Sequence, residues 1–241
     1  SLATEVTLDW LKELFPERVG ETADVVWDEE RKRVISMSGP TFDGLVVSPR
    51  FSTRVEATAA EAMLADKVKR GELKLLKWDE KVEAWIGRTR CVAAWFPERG
   101  LLTYDEDDTS VILLELCKGA TAYAHIRKIP CLGEVKNALS WADREFVEKM
   151  APERIKLPRG YGRKVRYEAG GRAIGRAKIQ DLYGLNETPK VGGGRRPVLL
   201  EILAPNFRPV QTTDDLAGFW NNLYPTVRKQ LSRRYPKHEW R

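Results

Sequence analysis

Arg163-Lys164-Val165-Arg166-Tyr167-Glu168-Ala169-Gly170-Gly171-Arg172-Ala173-Ile174-Gly175-Arg176-Ala177-Lys178-Ile179 holds two strand-like runs around a Gly-Gly pair. That pattern is a hairpin signal, because two adjacent glycines supply the positive φ angles a tight turn needs. Strand alternation places Lys164 and Arg166 on one face, opposite Val165 and Tyr167. In the partner strand Arg172, Arg176 and Lys178 share a face. If the two basic sets align, they form a ribbon suited to a phosphate backbone. The same pattern also fits an ordinary charged outer sheet face.

Outward from the hairpin, Pro158, Gly160 and Gly162 open the segment, and Pro197–Leu203 reads as a third strand ending at Pro205. Two helices are expected to follow. Asp214 and Asp215 sit in the opening turn of the first, at the positive end of its dipole. Leu216, Phe219, Trp220 and Leu223 have i, i+3, i+4, i+7 spacing, and Pro225 suits the first turn of the second helix. Residues 151–241 thus read as a basic α+β domain with a small antiparallel sheet and two terminal helices.

Residues 56–150 read as a helical connecting region. Thr58 and Glu61 have capping-box spacing, and Lys67, Lys69 and Arg70 lead to a stop at Gly71. A second helix carries Val82, Trp85, Ile86, Val92 and Phe96 and stops before Pro97. Asp108 is expected to cap a third, Val111–Cys117, apolar nearly all round and so buried. One or two short helices fit Val135–Met150. Residues 1–55 mix a short helix (Leu8, Leu11, Leu14, Phe15, ended by Pro16) with strands. The strands are Asp24–Trp27, Arg33–Met37 and Gly44–Val47, with Gly39-Pro40-Thr41 as the turn between the last two. The fold class is α+β.

The 241 residues carry a net charge of +6, which hides an asymmetry. Residues 1–150 hold 22 Lys+Arg against 27 Asp+Glu, and residues 151–241 hold 19 against 8, a net of +11. Such a split suggests a polyanion-facing module on a more neutral scaffold. Hydrophobic residues at 42% and charged residues at 32% indicate a globular chain. No apolar run approaches the roughly 20 residues of a membrane span, and the first residues lack a signal-peptide pattern. Cys91, Cys117 and Cys131 form no close pair, and with only His125 and His238 no zinc site of usual spacing can be assembled. Reduced core cysteines and a cytoplasmic location are the expectation. No Ser/His/Asp or Cys/His constellation is readable, so the chain itself is not expected to be an enzyme.

Three segments carry a family likeness. Pro205-Asn206-Phe207-Arg208-Pro209-Val210-Gln211-Thr212-Thr213-Asp214-Asp215-Leu216-Ala217-Gly218-Phe219-Trp220 is the longest. Arg228-Lys229-Gln230-Leu231-Ser232-Arg233-Arg234-Tyr235-Pro236-Lys237-His238-Glu239-Trp240 closes the chain, and Ile179-Gln180-Asp181-Leu182-Tyr183-Gly184 precedes both. In order and position they resemble the C-terminal region of HrpB-type DEAH-box RNA helicases, clearly over about residues 150–241 and more weakly to residue 1. The resemblance implies an ATP-driven motor of two RecA-like domains, then helical and OB-like domains, then this region. On it, residues 1–55 are a partial OB-like β unit that the chain enters part-way. The chain has no Gly-x-x-x-x-Gly-Lys-Thr/Ser loop and no Asp-Glu-Ala-His box. ATP and magnesium are therefore expected of the motor, and no cofactor or metal of this chain.

The resemblance and the charge together point to RNA or another nucleic acid as partner, with the helicase core in cis, no membrane, and a monomer. Arg228, Lys229, Arg233 and Lys237 are the candidate phosphate contacts on the last helix and tail, with a solvated face as the plain alternative. Lys164, Arg166, Arg172 and Arg176 are those of the hairpin. Arg195 and Arg196 follow Gly192-Gly193-Gly194, which could offer backbone N–H groups to phosphate or be a mobile hairpin loop. Arg208, Gln211, Asp215, Trp220, Arg234, Tyr235, His238 and Trp240 are assigned to holding the motif. Arg234 in particular is expected at the core edge, paired with a carboxylate or backbone carbonyl. Tyr235 and Trp240 either stack on bases or pack over a neighbour. Asp105-Glu106-Asp107-Asp108 reads as capping and solvation rather than magnesium binding. The rival function is a protein-interaction or scaffold module whose basic face docks on the helicase core or a partner.

Overall fold

The structure is a computed structural model describing residues 6–158 and 162–241, so Gly160 lies outside the described residues. In chain order its elements are α1 (Leu8–Leu14), β1 (Val19–Asp28), β2 (Arg33–Phe42), β3 (Leu45–Val46), β4 (Arg50–Ser52), α2 (Ala57–Lys69), α3 (Glu80–Trp95) and α4 (Glu106–Leu116). There follow α5 (Tyr123–Ile126), α6 (Cys131–Asn137), α7 (Trp141–Met150), β5 (Arg154–Ile155), β6 (Arg163–Glu168), β7 (Arg172–Lys178), β8 (Lys190–Val191) and β9 (Arg196–Pro197). The last are β10 (Leu199–Leu203), β11 (Pro209–Thr213), α8 (Leu216–Gly218), a wide turn (Phe219–Leu223) and α9 (Tyr224–Arg234). The fold class is α+β, as expected.

The chain forms two compact units. One takes the chain up to Trp78 together with Thr109–Glu134, and the other takes Asp79–Asp108 with Val135–Arg241. The helical stretch 56–150 is thus divided between the two units rather than lying between them.

In the first unit β1, β2 and β3 pair antiparallel, with β4 also on β2. The expected turn at Gly39-Pro40-Thr41 is not there: β2 runs straight through it. The Pro40 carbonyl accepts from Val47 N–H at 2.9 Å. Its missing donor points to the same side, where pairing is already interrupted between β3 and β4. The reversal falls instead at Asp43-Gly44, with φ of 50° and 79°, between the paired Phe42 and Leu45. A two-residue loop with both φ positive is the turn whose twist matches a hairpin. In α2 the cap also differs from expectation. Glu56, not Thr58, caps the helix by accepting from the Thr58 and Ala59 N–H groups, while Glu61 accepts from Gly119 N–H at 2.7 Å. Glu56 supplies two acceptor oxygens where a threonine has one hydroxyl. Its carboxyl is held below the usual range, mainly by the Thr58 hydroxyl and then by those N–H groups. The stop at Gly71 is as expected, with φ +76°.

α4 begins earlier than expected. Asp105 accepts from Asp108 N–H at 2.9 Å, and Asp108 returns a bond from Asp105 N–H at 3.2 Å. Asp108 is therefore the reciprocal partner in the cap rather than the cap itself. Only one face of α4 is buried, through Ile112, Leu113 and Leu116, since Val111 is 68% exposed.

In the second unit five strands pair in the order β11-β10-β7-β6-β5. All pairs are antiparallel except β10 on β7, which is parallel. The intervening chain, with β8 and β9, makes that crossover. The underside of the β6–β7 hairpin carries Val165, Tyr167 and Ala173, all buried, and α3 lies beneath it. Gly87 makes this approach possible, since a Cβ there would lie 2.7 Å from the Tyr167 carbonyl. Trp95 Nε1 donates to Gly171 O at 2.8 Å and Cys91 Sγ to Glu168 O at 3.2 Å, so the helix grips the hairpin loop from below. All three cysteines are buried thiols outside any disulfide, as expected. Burial pushes the Cys91 and Cys117 thiols up to about 11.

Candidate nucleic-acid interface

The hairpin register settles which side chains share its outer face. Glu168 pairs with Arg172, Arg166 with Ile174, and in the parallel pair Arg176 sits beside Glu201. The two basic sets do align. Lys164, Arg166, Arg172 and Arg176 are exposed on the face turned away from α3. Acids interrupt this ribbon, however. Arg166 donates to Glu168 at 2.7 Å and to Glu201 at 3.4 Å, and Arg176 Nε lies 2.8 Å from Glu201. Lys164 and Arg172 have no ion pair among the described residues. Glu201 escaped the sequence reading because its neighbour in the sheet is set by a parallel crossover, which strand alternation does not reveal.

The glycine turn is built differently from a phosphate cradle. Gly192, Gly193 and Gly194 all have positive φ (62°, 67° and 85°) and join β8 to β9. Gly192 N–H donates to Met150 O at 2.7 Å and Gly194 N–H to Val191 O at 3.2 Å. Those donors are consumed inside the fold. The Arg195 guanidinium lies 5.6 Å from the Phe96 ring centroid, and Arg196 is exposed.

The two expected terminal helices run on as one helical stretch. Asp215 caps it by accepting from Gly218 N–H at 2.9 Å, and its own N–H donates to Thr213 Oγ1. Pro225 has no N–H to return to Asn221. Tyr224 N–H reaches back five residues to Phe219 O, giving one π-type turn. The extra residue shifts the apolar register. Leu216, Phe219 and Tyr224 are buried, while Leu223, expected in the core, is 45% exposed. Trp220 Nε1 donates to Leu185 O at 2.8 Å, and the Tyr183 and Tyr224 hydroxyls lie 2.6 Å apart. The rings of Phe219, Trp220, Tyr224 and Tyr183 form one cluster. Burial, then the hydroxyl contact with Tyr224, raises the Tyr183 pKa well above its ordinary value.

This cluster anchors α9 and the tail. Gln180 Nε2 and Tyr183 Oη both donate to Glu239 O, at 3.5 and 3.2 Å. The Tyr235 carbonyl accepts from His238 N–H and, at 3.0 Å, from Trp240 Nε1. The His238 ring meets Tyr235 edge-on at 6.1 Å. Tyr235 thus holds both His238 and Trp240. Gln180 and Tyr183 are structural residues that the sequence reading left without a role. Their target, a carbonyl 56 residues away from Tyr183, leaves no local trace in the sequence.

Arg228, Lys229, Arg233 and Lys237 are exposed, and none has an ion pair among the described residues. Lys229 and Arg233, one turn apart, share a helix face. Arg234 corrects an expectation: it is exposed and has no carboxylate or carbonyl partner among the described residues. Its guanidinium lies 5.9 Å from the Tyr235 ring centroid. Val227 and Leu231 remain the half-buried side of α9, but Arg234 is its last residue, where the chain leaves the helix at Tyr235. Arg208 is exposed on the turn after β10, where its carbonyl accepts from Ala204 N–H. Gln211 lies on β11 opposite Ile202. Among the described residues no group of His, Cys, Asp and Glu could hold a metal ion, and no helix is long and apolar enough to cross a membrane.

A mixed sheet backed by α3 and closed by an aromatic-anchored basic helix has counterparts among helicases. The crystal structure of E. coli DExH-box NTPase HrpB matches 98% of this chain with a TM-score of 0.74 at 24% identity, over 30% of that chain. The crystal structure of Escherichia coli DEAH/RHA helicase HrpB matches 92% with a TM-score of 0.66 at 23% identity, over 29% of that chain. These likenesses show the fold alone. The sequence profile of the ATP-dependent helicase C-terminal family, HrpB_C, covers residues 112–241, and the chain belongs to that family. The ATP-dependent RNA helicase HrpB of E. coli K12 is 25% identical over 243 aligned positions, 99% of this chain. The chain spans about 30% of that relative's length.

Proposed function

We propose that this region binds RNA beside an ATPase motor carried by the parent protein, mainly through phosphate contacts and with little sequence preference. The supporting observation is the cationic set Arg228, Lys229, Arg233 and Lys237, which has no carboxylate partner among the described residues and is held on an anchored helix and tail. Cations without carboxylate partners can replace the counterions of a phosphate chain, which is the main source of non-specific affinity. On this reading the parent protein is an ATP-dependent RNA helicase, in which ATP and magnesium belong to the motor. This region holds the strand and contributes no chemical step.

The test is the salt dependence of binding to a single-stranded RNA oligonucleotide. Four phosphate contacts give a slope of log K against log salt of about −3. Lys229→Glu with Arg233→Glu should cut the affinity at least about tenfold and flatten the slope by about 1.4. No binding by the unaltered chain at low salt would sink the proposal. Unchanged RNA binding by the double variant, with weakened association to the separately expressed motor, would favour a docking module.

A further inference from the structure

Phe207 is out of place for a residue with only a structural task. It sits in the turn between β10 and β11 with φ +66°, a left-handed conformation that bulky side chains rarely adopt. The turn is well bonded: Phe207 N–H donates to Ala204 O at 2.9 Å, Ala204 N–H to Arg208 O at 2.9 Å, and Arg208 N–H to Asn206 Oδ1 at 3.3 Å. The strain is thus held in place by the surrounding backbone, the condition under which an outlier points to a use. Glycine or asparagine would fit the same backbone without strain. Yet the ring is 65% exposed, so packing does not require it.

Its neighbours are cationic. The Lys178 ammonium lies 3.9 Å from the ring centroid, over the face. Arg208 follows in sequence and is exposed. Lys178 ends the outer row of β7 that also holds Arg172 and Arg176, and it lies two residues, roughly 6.7 Å, along the strand from Arg176. That outer face carries Lys164, Arg166, Arg172, Arg176 and Lys178 against Glu168 and Glu201. An exposed aromatic ring at the end of a net-positive row matches the chemistry of single-strand recognition. There a cationic groove follows the backbone and a ring takes the face of an unpaired base.

We propose that Phe207 is a stacking platform for an unpaired base of single-stranded RNA, with Lys178 and Arg208 on the adjoining phosphates. This rests on the RNA-binding reading above and adds to it the form of RNA and a second contact zone. A base in a duplex has both faces covered, so the site discriminates single strands from duplexes.

The experiment compares the unaltered chain with Phe207→Ala, Phe207→Asn and Phe207→Trp against three RNAs of equal charge: a single strand, a duplex and an abasic single strand. Removal of the ring is expected to weaken the single strand about tenfold, the effect of losing one base–aromatic stack. It should leave duplex and abasic binding, and the salt slope, unchanged. Phe207→Trp should restore the single-strand affinity. Phe207→Asn keeps the backbone comfortable, so a loss there is not a folding defect. If Phe207→Ala and Phe207→Asn bind the single strand as tightly as the unaltered chain, while Lys229→Glu with Arg233→Glu does not, the stacking site is wrong and the RNA-binding reading survives. If instead the ring variants lose only association with the separately expressed motor, Phe207 belongs to a protein contact and the proposal falls. If the unaltered chain binds none of the three RNAs, both readings fall together.

Discussion

The hairpin face and the last helix carry similar numbers of cations, yet they offer a polyanion different things. On the hairpin, Arg166 and Arg176 converge on Glu201, and Arg166 also holds Glu168. On α9 and the tail, Arg228, Lys229, Arg233 and Lys237 have no carboxylate partner among the described residues. A guanidinium already beside a carboxylate releases no counterion when a phosphate arrives, and the carboxylate repels that phosphate. Counting Lys and Arg overstates the sheet and understates the helix.

The sharpest way to break the comparison is to remove positive charge from each face in turn. Lys229→Glu with Arg233→Glu should cost at least about tenfold in RNA affinity. Arg166→Gln with Arg176→Gln should cost about threefold or less, because both guanidiniums are already neutralised by carboxylates and release no counterion to a phosphate. Equal losses in filter-binding titrations would show that ion pairing does not distinguish the faces. Glu201→Gln carries the opposite sign: it releases Arg176, leaves Arg166 on Glu168 alone and should tighten binding about threefold, with fold stability changed by under about 1 kcal/mol since the pairs are exposed. A weaker complex from Glu201→Gln would contradict this account of the sheet.

The helix depends on its anchor, which can be tested through stability. Phe219→Ala removes a ring that is 2% exposed and should cost about 3–5 kcal/mol in urea unfolding of the unit that contains it. Tyr224→Phe loses only the hydroxyl contact with Tyr183 and should cost about 1 kcal/mol. Neither should alter binding by the hairpin face if the domain stays folded. The smallest effect is alkaline. The Cys91 thiol, donating to Glu168 O under the hairpin, titrates at about 11 in the folded chain against 9.0 as its ordinary value. The unfolded chain loses that proton first. The contribution is therefore complete below pH 9 and is lost as the pH rises to about 11. Cys91→Ala should flatten the unfolding midpoint over that window.

Local chemistry was legible and non-local pairing was not. The hairpin, the stop at Gly71, the end of α3 before Pro97 and the shift in charge at residue 150 each follow from neighbours in sequence. The turn at Asp43-Gly44 was legible too, but Gly39-Pro40 gave a louder signal, and a proline is tolerated where a strand's partner is interrupted. Glu201 beside Arg176 depends on a parallel crossover, and the hold of Gln180 and Tyr183 on Glu239 on contacts more than 50 residues apart. No periodicity encodes these. Leu223 misled for another reason: its spacing is ideal for an α-helix, and the helix there is not α throughout. Of the candidate site, the identities of the cations were readable, but which of them a carboxylate already occupies was not.

The π-type turn at Phe219–Leu223 lets the chain carry one residue more than an α-helix over the same path would need. Each residue of an α-helix advances about 100° around the axis, and the wide turn absorbs the extra one, since Tyr224 N–H already meets Phe219 O. Deleting one residue from Asn221-Asn222 would turn that bond into an ordinary i→i−4 one and leave Lys229 and Arg233 facing as they do. Deleting a residue between Tyr224 and Arg228 meets no such slack and would swing the cations beyond it by about 100° relative to Leu216 and Phe219. The orientation of this helix is thus buffered at one point against a change of chain length, a kind of variation that substitution scanning does not sample.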